Sequence, residues 1–180
     1  MKTSPLLFFA VTALLFSACT PKQSSQSTTT PPAEETPQTE EELAERVIMK
    51  VQRIIENTDD RLSAIEPVVD TMPVEYGLKE GRVLKLWMED NQAVKLTVTE
   101  PDDAGEMTGL STFYFGGQDL FYASQPFARF IFLNGKLEYW LDENWSVNPM
   151  SPQLLDQREE LLYNEANEYL TWFFGAPGDN

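Results

Sequence analysis

The spacing of apolar residues changes twice along the chain and predicts a helix, a set of strands and a second helix. A period near 3.6 holds from Glu40 to about Ala64, and Thr39 with Glu42 forms a capping-box signature at its start. The apolar positions on one side of this helix are Leu43, Val47, Val51, Ile54, Leu62 and Ile65. The stripe predicts an amphipathic helix that packs on a core.

The second helical segment lies near the end of the chain. Ser151 is its expected cap, Pro152 stands in its first turn, and Gly175 marks its end. Its apolar side consists of Leu155, Leu162, Ala166, Tyr169 and Phe173, widened by Leu154, Leu161, Leu170 and Phe174. The width of this stripe predicts a deeply packed helix.

Between the helices the period changes to two, which is typical of strands. Turn signals at Asp90-Asn91, Gly116-Gly117 and Asn134-Gly135 predict three hairpins. The last two resemble copies of one unit, and the first fits this repeat more loosely. The six strands are expected over residues 82–89, 93–99, 109–115, 118–124, 128–133 and 136–141. The predicted fold class is α+β: a six-stranded antiparallel β-meander of hairpins packed with two long amphipathic helices, one N-terminal and one C-terminal.

Strict alternation along the last two hairpins sorts their residues into two faces. The Asn134-Gly135 turn pairs Leu133 with Lys136, which places on one core face Phe113, Phe115, Leu120, Tyr122, Phe130, Phe132, Leu137, Tyr139 and Leu141. The opposite face then carries Tyr114, Phe121, Ala123, Arg129, Ile131, Leu133, Glu138 and Trp140. This face is too apolar for an ordinary solvent-exposed one. Either the second helix covers it, or the assumed strand register is in error, or it exposes a partner patch made of Tyr114, Phe121, Arg129, Ile131 and Trp140.

The first residues have the composition of a secretory signal. Lys2 is followed by an apolar stretch over residues 6–16, which is shorter than the roughly 20 residues that span a bilayer. The run Leu14-Leu15-Phe16-Ser17-Ala18-Cys19 resembles the lipobox of bacterial lipoproteins, in which leucine usually stands where Phe16 stands here. The resemblance implies cleavage before Cys19, a thioether-linked diacylglycerol on that residue and a further acyl chain such as palmitate. Thr20 after the cysteine implies transport to the outer membrane, with the domain facing the periplasm.

Composition then divides the chain into four parts. Residues 19–38 are mostly Ser, Thr, Pro, Gln and Glu with no large apolar side chain, so they predict a disordered tether that reaches about 25 Å. The expected organisation is a signal peptide over 1–18, this tether over 19–38, a single α+β domain over 39–174 and a tail over 175–180. A domain of that length can bury its own core.

The charge balance excludes several function classes. The chain has 29 acidic residues against 13 Lys and Arg, a net charge of −16, and no histidine. Nucleic acid is excluded as a partner because its binding depends on cationic side chains. Ser-His-Asp triads and HExxH zinc sites need histidine, and the one cysteine is expected to carry lipid. We therefore predict no enzyme and no cofactor.

Two acidic loops offer weaker alternatives. Asp102, Asp103 and Glu106 gather oxygen ligands that suit calcium, although their spacing is not that of a D-x-D-x-D-G loop. The segment Asp142-Glu143-Asn144 lies between two tryptophans, and sugar sites combine aromatic platforms with carboxylates. The aromatic candidates for such a site are Trp87, Tyr114, Trp140 and Trp145. A glycan-binding or calcium-binding module is thus an alternative function, with a glycoside hydrolase a remote third.

The hairpin region also resembles a group of bacterial proteins. The segments Phe113-Tyr114-Phe115, Phe130-Ile131-Phe132-Leu133-Asn134-Gly135-Lys136 and Trp140-Leu141-Asp142 are similar to small Gram-negative lipoproteins that contain a domain of unknown function. The resemblance spans residues 82–141 and implies no activity. The predicted function is a lipid-anchored cell-envelope protein with a non-enzymatic binding or scaffolding role, its partners being the membrane, through the anchor, and an envelope protein.

Overall fold

The computed structural model describes residues 39–175, which form an α+β fold with one antiparallel sheet and two helices. The elements in order are α1 Glu40–Leu62, β1 Val68–Thr71, β2 Val83–Glu89, β3 Gln92–Pro101, β4 Met107–Gly116, β5 Asp119–Gln125, β6 Ala128–Leu133, β7 Lys136–Leu141 and α2 Pro152–Phe174. The strands lie in the sheet in chain order, so the sheet is a meander. In this part of the chain, neither helix combines the length and hydropathy needed to cross a bilayer.

The predicted start of α1 is confirmed, but its buried side is rotated. Thr39 and Glu42 form the capping box, with side chain to backbone distances of 3.2 Å in both directions. The buried residues of α1 are Ala44, Ile48, Val51, Thr58 and Leu62, whereas Leu43 and Ile54 are exposed. Residues three or four apart form a row along the helix surface. The row that includes Leu43 also contains the exposed Lys50, whereas the row that includes Ala44 contains no charged residue. The helix therefore buries the uncharged row.

The predicted cap of α2 is also confirmed, while its predicted depth is wrong. The Ser151 hydroxyl accepts a hydrogen bond from the Leu154 amide at 3.4 Å. Leu162, Ala166 and Tyr169 are buried, as expected. Of the residues that widen the apolar stripe, Leu154, Leu161 and Phe174 are exposed and retain about half of their accessible surface, whereas Leu170 is partly buried against the core. Helix α2 thus covers the sheet with one side only.

The sheet has seven strands rather than the predicted six. The additional strand, β1, pairs antiparallel with β2, and Val68 lies opposite Leu86. All four residues of β1 are exposed, so this strand lacks the usual alternation of buried and exposed positions. Pro67 and Pro73 flank it, and proline is typical of connections and of edge strands. Backbone pairing with a neighbour that is distant in sequence creates this edge strand.

Each of the three hairpins carries the same irregularity in its second strand. The two-residue turn is followed by two paired residues and then by one residue without a cross-strand partner, which is Val94, Phe121 and Glu138 in turn. One extra residue in a strand moves every later side chain to the other face. The shared position of this β-bulge supports the interpretation of the hairpins as a repeat.

Because of these bulges, several residues lie on the opposite face of the sheet from the one predicted. Tyr122, Tyr139 and Leu141 were expected beside Phe113 but lie on the α1 side, and Ala123 and Trp140 lie on the α2 side. The residues packed under α2 include Phe113, Phe115, Leu120, Ala123, Phe130, Phe132, Leu137 and Trp140. Those packed under α1 include Tyr114, Phe121, Tyr122, Ile131, Leu133, Tyr139 and Leu141. The face that holds Tyr114 is thus covered by the N-terminal helix and not by the second helix.

We expect Leu162→Ala to lower the free energy of unfolding by about 2–5 kcal/mol, because it leaves a cavity between α2 and the sheet. Leu162 is fully buried, and its neighbour Leu161 is 44% exposed on the outer side of the same helix. Leu161→Ala is therefore the matched control and should cost less than about 1 kcal/mol. Urea unfolding of both full-length variants measures the difference. Equal costs would contradict the orientation of α2.

Candidate functional site

A groove lies between the first turns of α1 and the loop that follows β7. We call it the α1–Trp145 groove, and its cavity volume is about 590 Å³. It is lined by Glu40, Glu41, Ala44, Glu45, Ile48, Tyr139, Trp145, Ser146 and Val147. Ligand-binding cavities commonly have volumes of this order and combine apolar walls with a few polar groups.

The loop over residues 142–147 is fixed by hydrogen bonds to Asp142. The Asp142 Oδ1 atom accepts from the amides of Asn144 at 2.8 Å and Ser146 at 2.9 Å. The Asp142 amide donates to the Ser146 carbonyl at 2.9 Å, and Val147 forms a β-bridge with Leu141. Asp142 is one of the carboxylates that the sequence suggests for sugar binding. In the structure its carboxylate instead accepts the hydrogen bonds that close the turn.

Trp145 forms one wall of the groove and is held in an unusual conformation. Its φ angle is +67°, which is rare and unfavourable for a bulky side chain. Its ring stacks on Tyr122 with centroids 5.5 Å apart and planes 14° apart, and the Arg129 guanidinium lies 5.0 Å from its centre. Arg129 also donates to the Glu143 carbonyl at 2.8 Å. These contacts preform the wall.

The rim of the groove is negatively charged. Glu40, Glu41 and Glu45 line it, and no lysine or arginine does. Among the ion pairs formed within residues 39–175, none includes these three glutamates. Burial raises the pKa of Tyr139, and the carboxylates of Glu138 and Glu40 raise it further. The phenol of Tyr139 is therefore neutral and can donate a hydrogen bond.

The five residues predicted as a partner patch do not form one exposed surface. Tyr114 and Ile131 are buried under α1, and Trp140 packs on the opposite face under α2. Phe121 and Arg129 are partly buried on the α1 side. Arg129 does not line the groove, but its guanidinium lies 5.0 Å from the ring centre of Trp145, which does.

Tyr114 belongs to a polar cluster that joins α1 to the sheet. Its hydroxyl donates to Asp59 at 2.9 Å, and the Lys95 ammonium donates to the same carboxylate at 2.8 Å. The ammonium also lies 5.3 Å from the ring centre of Trp87 and 5.1 Å from that of Tyr114. Burial, followed by the bond to Asp59, raises the pKa of Tyr114. Sequence reasoning missed Asp59 and Lys95, because 36 residues separate them.

The acidic loop after β3 uses its carboxylates for other contacts. Asp102 Oδ1 accepts from the amides of Ala104 at 2.8 Å and Glu106 at 3.0 Å, and the bond from Glu106 lowers the pKa of Asp102. Glu106 pairs with Lys79 at 2.6 Å, and Asp103 is exposed. Within residues 39–175, no three side chains of His, Cys, Asp or Glu are grouped so that they could hold a metal ion.

The aromatic residues considered for glycan stacking are separated in the structure. Trp87 donates its indole N–H to the Ile65 carbonyl at 3.1 Å. Trp140 lies under α2 and Trp145 lies on the α1 side, so the sheet separates them. The four candidates therefore do not form a shared platform.

A second polar network lies between α2 and the sheet. Gln125 donates to Glu165 at 2.7 Å, and Arg158 donates to Gln125. The Arg158 guanidinium is 4.8 Å from the ring centre of Phe130. Burial raises the pKa of Glu165 and lowers that of Arg158, and it raises the pKa of Tyr169 to about 12. This network supports the docking of α2.

Comparison with known proteins adds no relative. The chain matches no protein-family model, no curated protein and no solved structure.

We expect Glu165→Gln to be at least as stable as the wild type at pH 7, with an advantage that shrinks as the pH falls. The raised pKa of Glu165 means that the folded state binds this proton more readily than the unfolded state. The Glu165 carboxyl therefore stabilises the folded state most at a pH below the pKa that it has in the unfolded chain. This contribution is lost as the pH rises through the pKa that it has in the folded state. Urea unfolding between pH 4 and pH 7 measures the trend. This interval begins near the ordinary pKa of a glutamate side chain, about 4.3, and extends above it.

The control is Glu160→Gln, which changes an exposed carboxylate on the same helix. It should show no comparable dependence of its stability difference on pH. A Glu165→Gln variant that loses stability relative to the wild type as the pH rises would contradict the assigned environment of Glu165.

Proposed function

We propose that this protein is a lipid-anchored cell-envelope protein with a non-enzymatic binding role, and that the α1–Trp145 groove is its binding site. The observation that carries the proposal is the preformed wall of the groove. Trp145 keeps a costly φ angle of +67°, and hydrogen bonds to Asp142 fix the loop around it. Strained backbone that the surrounding contacts maintain is concentrated at functional sites.

The location rests on the sequence. Cys19 and the residues before it lie outside the described residues, so the anchor is inferred from the lipobox-like run that ends at Cys19. Each buried methylene contributes about 0.8 kcal/mol, so several acyl chains give stable attachment. We infer an outer-membrane anchor with the domain in the periplasm.

The position of the groove suits a tethered domain. The proposed tether over 19–38 joins the domain at Thr39, and the next two residues, Glu40 and Glu41, line the groove. The groove is therefore close in sequence to the proposed tether. A ligand bound there contacts α1 in its first turns.

For the anchor, we expect Cys19→Ala to abolish labelling by an alkyne analogue of palmitate in cells, while the wild type is labelled and fractionates with the outer membrane. The thiol is the only one in the chain, so no other cysteine can substitute. In-gel detection of the label with membrane fractionation measures both effects. An unlabelled wild-type protein, or a labelled Cys19→Ala variant, would contradict the anchor.

For the binding site, we expect a photoreactive residue at Val147 to yield a discrete adduct in cells, because Val147 lines the groove and is 43% exposed. The matched control is Tyr76, which is fully exposed and lies outside the groove lining. Mass spectrometry of the purified adduct gives the mass of the captured molecule. No adduct from position 147, or the same adducts from both positions, would contradict a binding role for the groove.

A further inference from the structure

We propose that the α1–Trp145 groove binds a basic peptide segment in which lysine or arginine alternates with apolar residues. This inference rests on the proposed function of the groove as a binding site. It adds the chemical class of the ligand, which follows from the charge of the rim, the apolar floor and the geometry of α1.

The charge of the rim selects a cationic ligand. Glu40, Glu41 and Glu45 are the charged residues of the lining, and within residues 39–175 they take part in no ion pair. The chain as a whole has a net charge of −16, so no excess of positive charge compensates them. A concave surface of one sign focuses the field and attracts the opposite charge. Phosphates and anionic glycans would be repelled.

The floor of the groove selects a ligand that also has apolar groups. Ala44 and Ile48 of α1 are buried at its base, and Tyr139, Trp145 and Val147 form the remaining apolar wall. A ligand with charge alone would leave this surface in water. Burial of apolar ligand area contributes about 25 cal/mol per Å² before the costs of association are subtracted.

The spacing of the glutamates matches that of an extended peptide. Glu41 and Glu45 are four residues apart on α1, so their Cβ atoms lie about 5–6 Å from each other. Alternate side chains of an extended peptide lie on one side, about 6.6 Å apart. Two basic side chains at positions i and i+2 can therefore meet these two glutamates, and the apolar residue between them points away from the glutamates.

The contacts of Trp145 favour a peptide over a neutral glycan. A sugar would stack on an open ring face, but the Trp145 ring already stacks on Tyr122 and has the Arg129 guanidinium 5.0 Å from its centre. These contacts reduce the ring surface of Trp145 on which a sugar could stack. A neutral sugar would also leave the three rim carboxylates without an opposite charge.

The test is isothermal titration of the full chain in detergent with the peptide acetyl-Lys-Leu-Lys-Leu-Lys-amide. We expect saturable one-to-one binding that weakens as salt is added, and at least tenfold weaker binding by the variant Glu41→Gln/Glu45→Gln. The matched control is Glu66→Gln/Glu160→Gln, which removes the same charge from exposed positions outside the groove and should bind as the wild type does. The peptide acetyl-Glu-Leu-Glu-Leu-Glu-amide should not bind.

Three results would overturn the proposal: no binding of the lysine peptide, equal weakening by both double variants, or equal binding of the glutamate peptide. Equal weakening would assign the affinity to diffuse surface charge. If the lysine peptide fails while a residue at position 147 still yields a discrete adduct in cells, the binding role stands and the peptide class falls. If both fail, the groove is not a binding site.

Discussion

A single sheet in this protein carries apolar side chains on both of its faces, and both faces must be removed from water. Phe113 and Phe130 are fully buried on one face, and Ile131 is fully buried on the other. A sheet of this kind is stable in water only when both faces are covered. The chain supplies two long helices for two faces, and α1 and α2 therefore take opposite sides. This division places the start of α1 beside β7 and so creates the groove.

The β-bulge at Glu138 decides which side chains the groove receives. Without this extra residue, strict alternation would place Trp140 on the α1 side and Tyr139 on the α2 side. With the bulge, Tyr139 lines the groove and Trp140 packs against Phe130 with ring centroids 5.2 Å apart. A shift of one position in one strand thus determines both the wall of the candidate site and part of the core under α2.

Polar contacts between distant segments then fix the two helices on the sheet. Asp59 joins α1 to Lys95 and Tyr114, and Arg61 forms a bidentate ion pair with Glu89. On the other face, Glu159 accepts from the Leu137 amide at 2.7 Å and joins α2 to β7. Such contacts give each helix a defined position, because hydrogen bonds require specific geometry whereas apolar burial does not. The rim of the groove depends on the position of α1.

Features whose causes lie within a few residues could be predicted from local patterns in the chain. The caps at Thr39 and Ser151 use side chains three residues from the amides they bind, and the Asn134-Gly135 turn has the positive φ angles, +53° and +77°, that its residues favour. Local patterns could not predict the exposed strand β1, the exchange of faces after each bulge, or the groove that both Glu41 and Trp145 line. These features depend on pairing and packing between residues far apart in the chain, and local periodicity carries no record of such contacts.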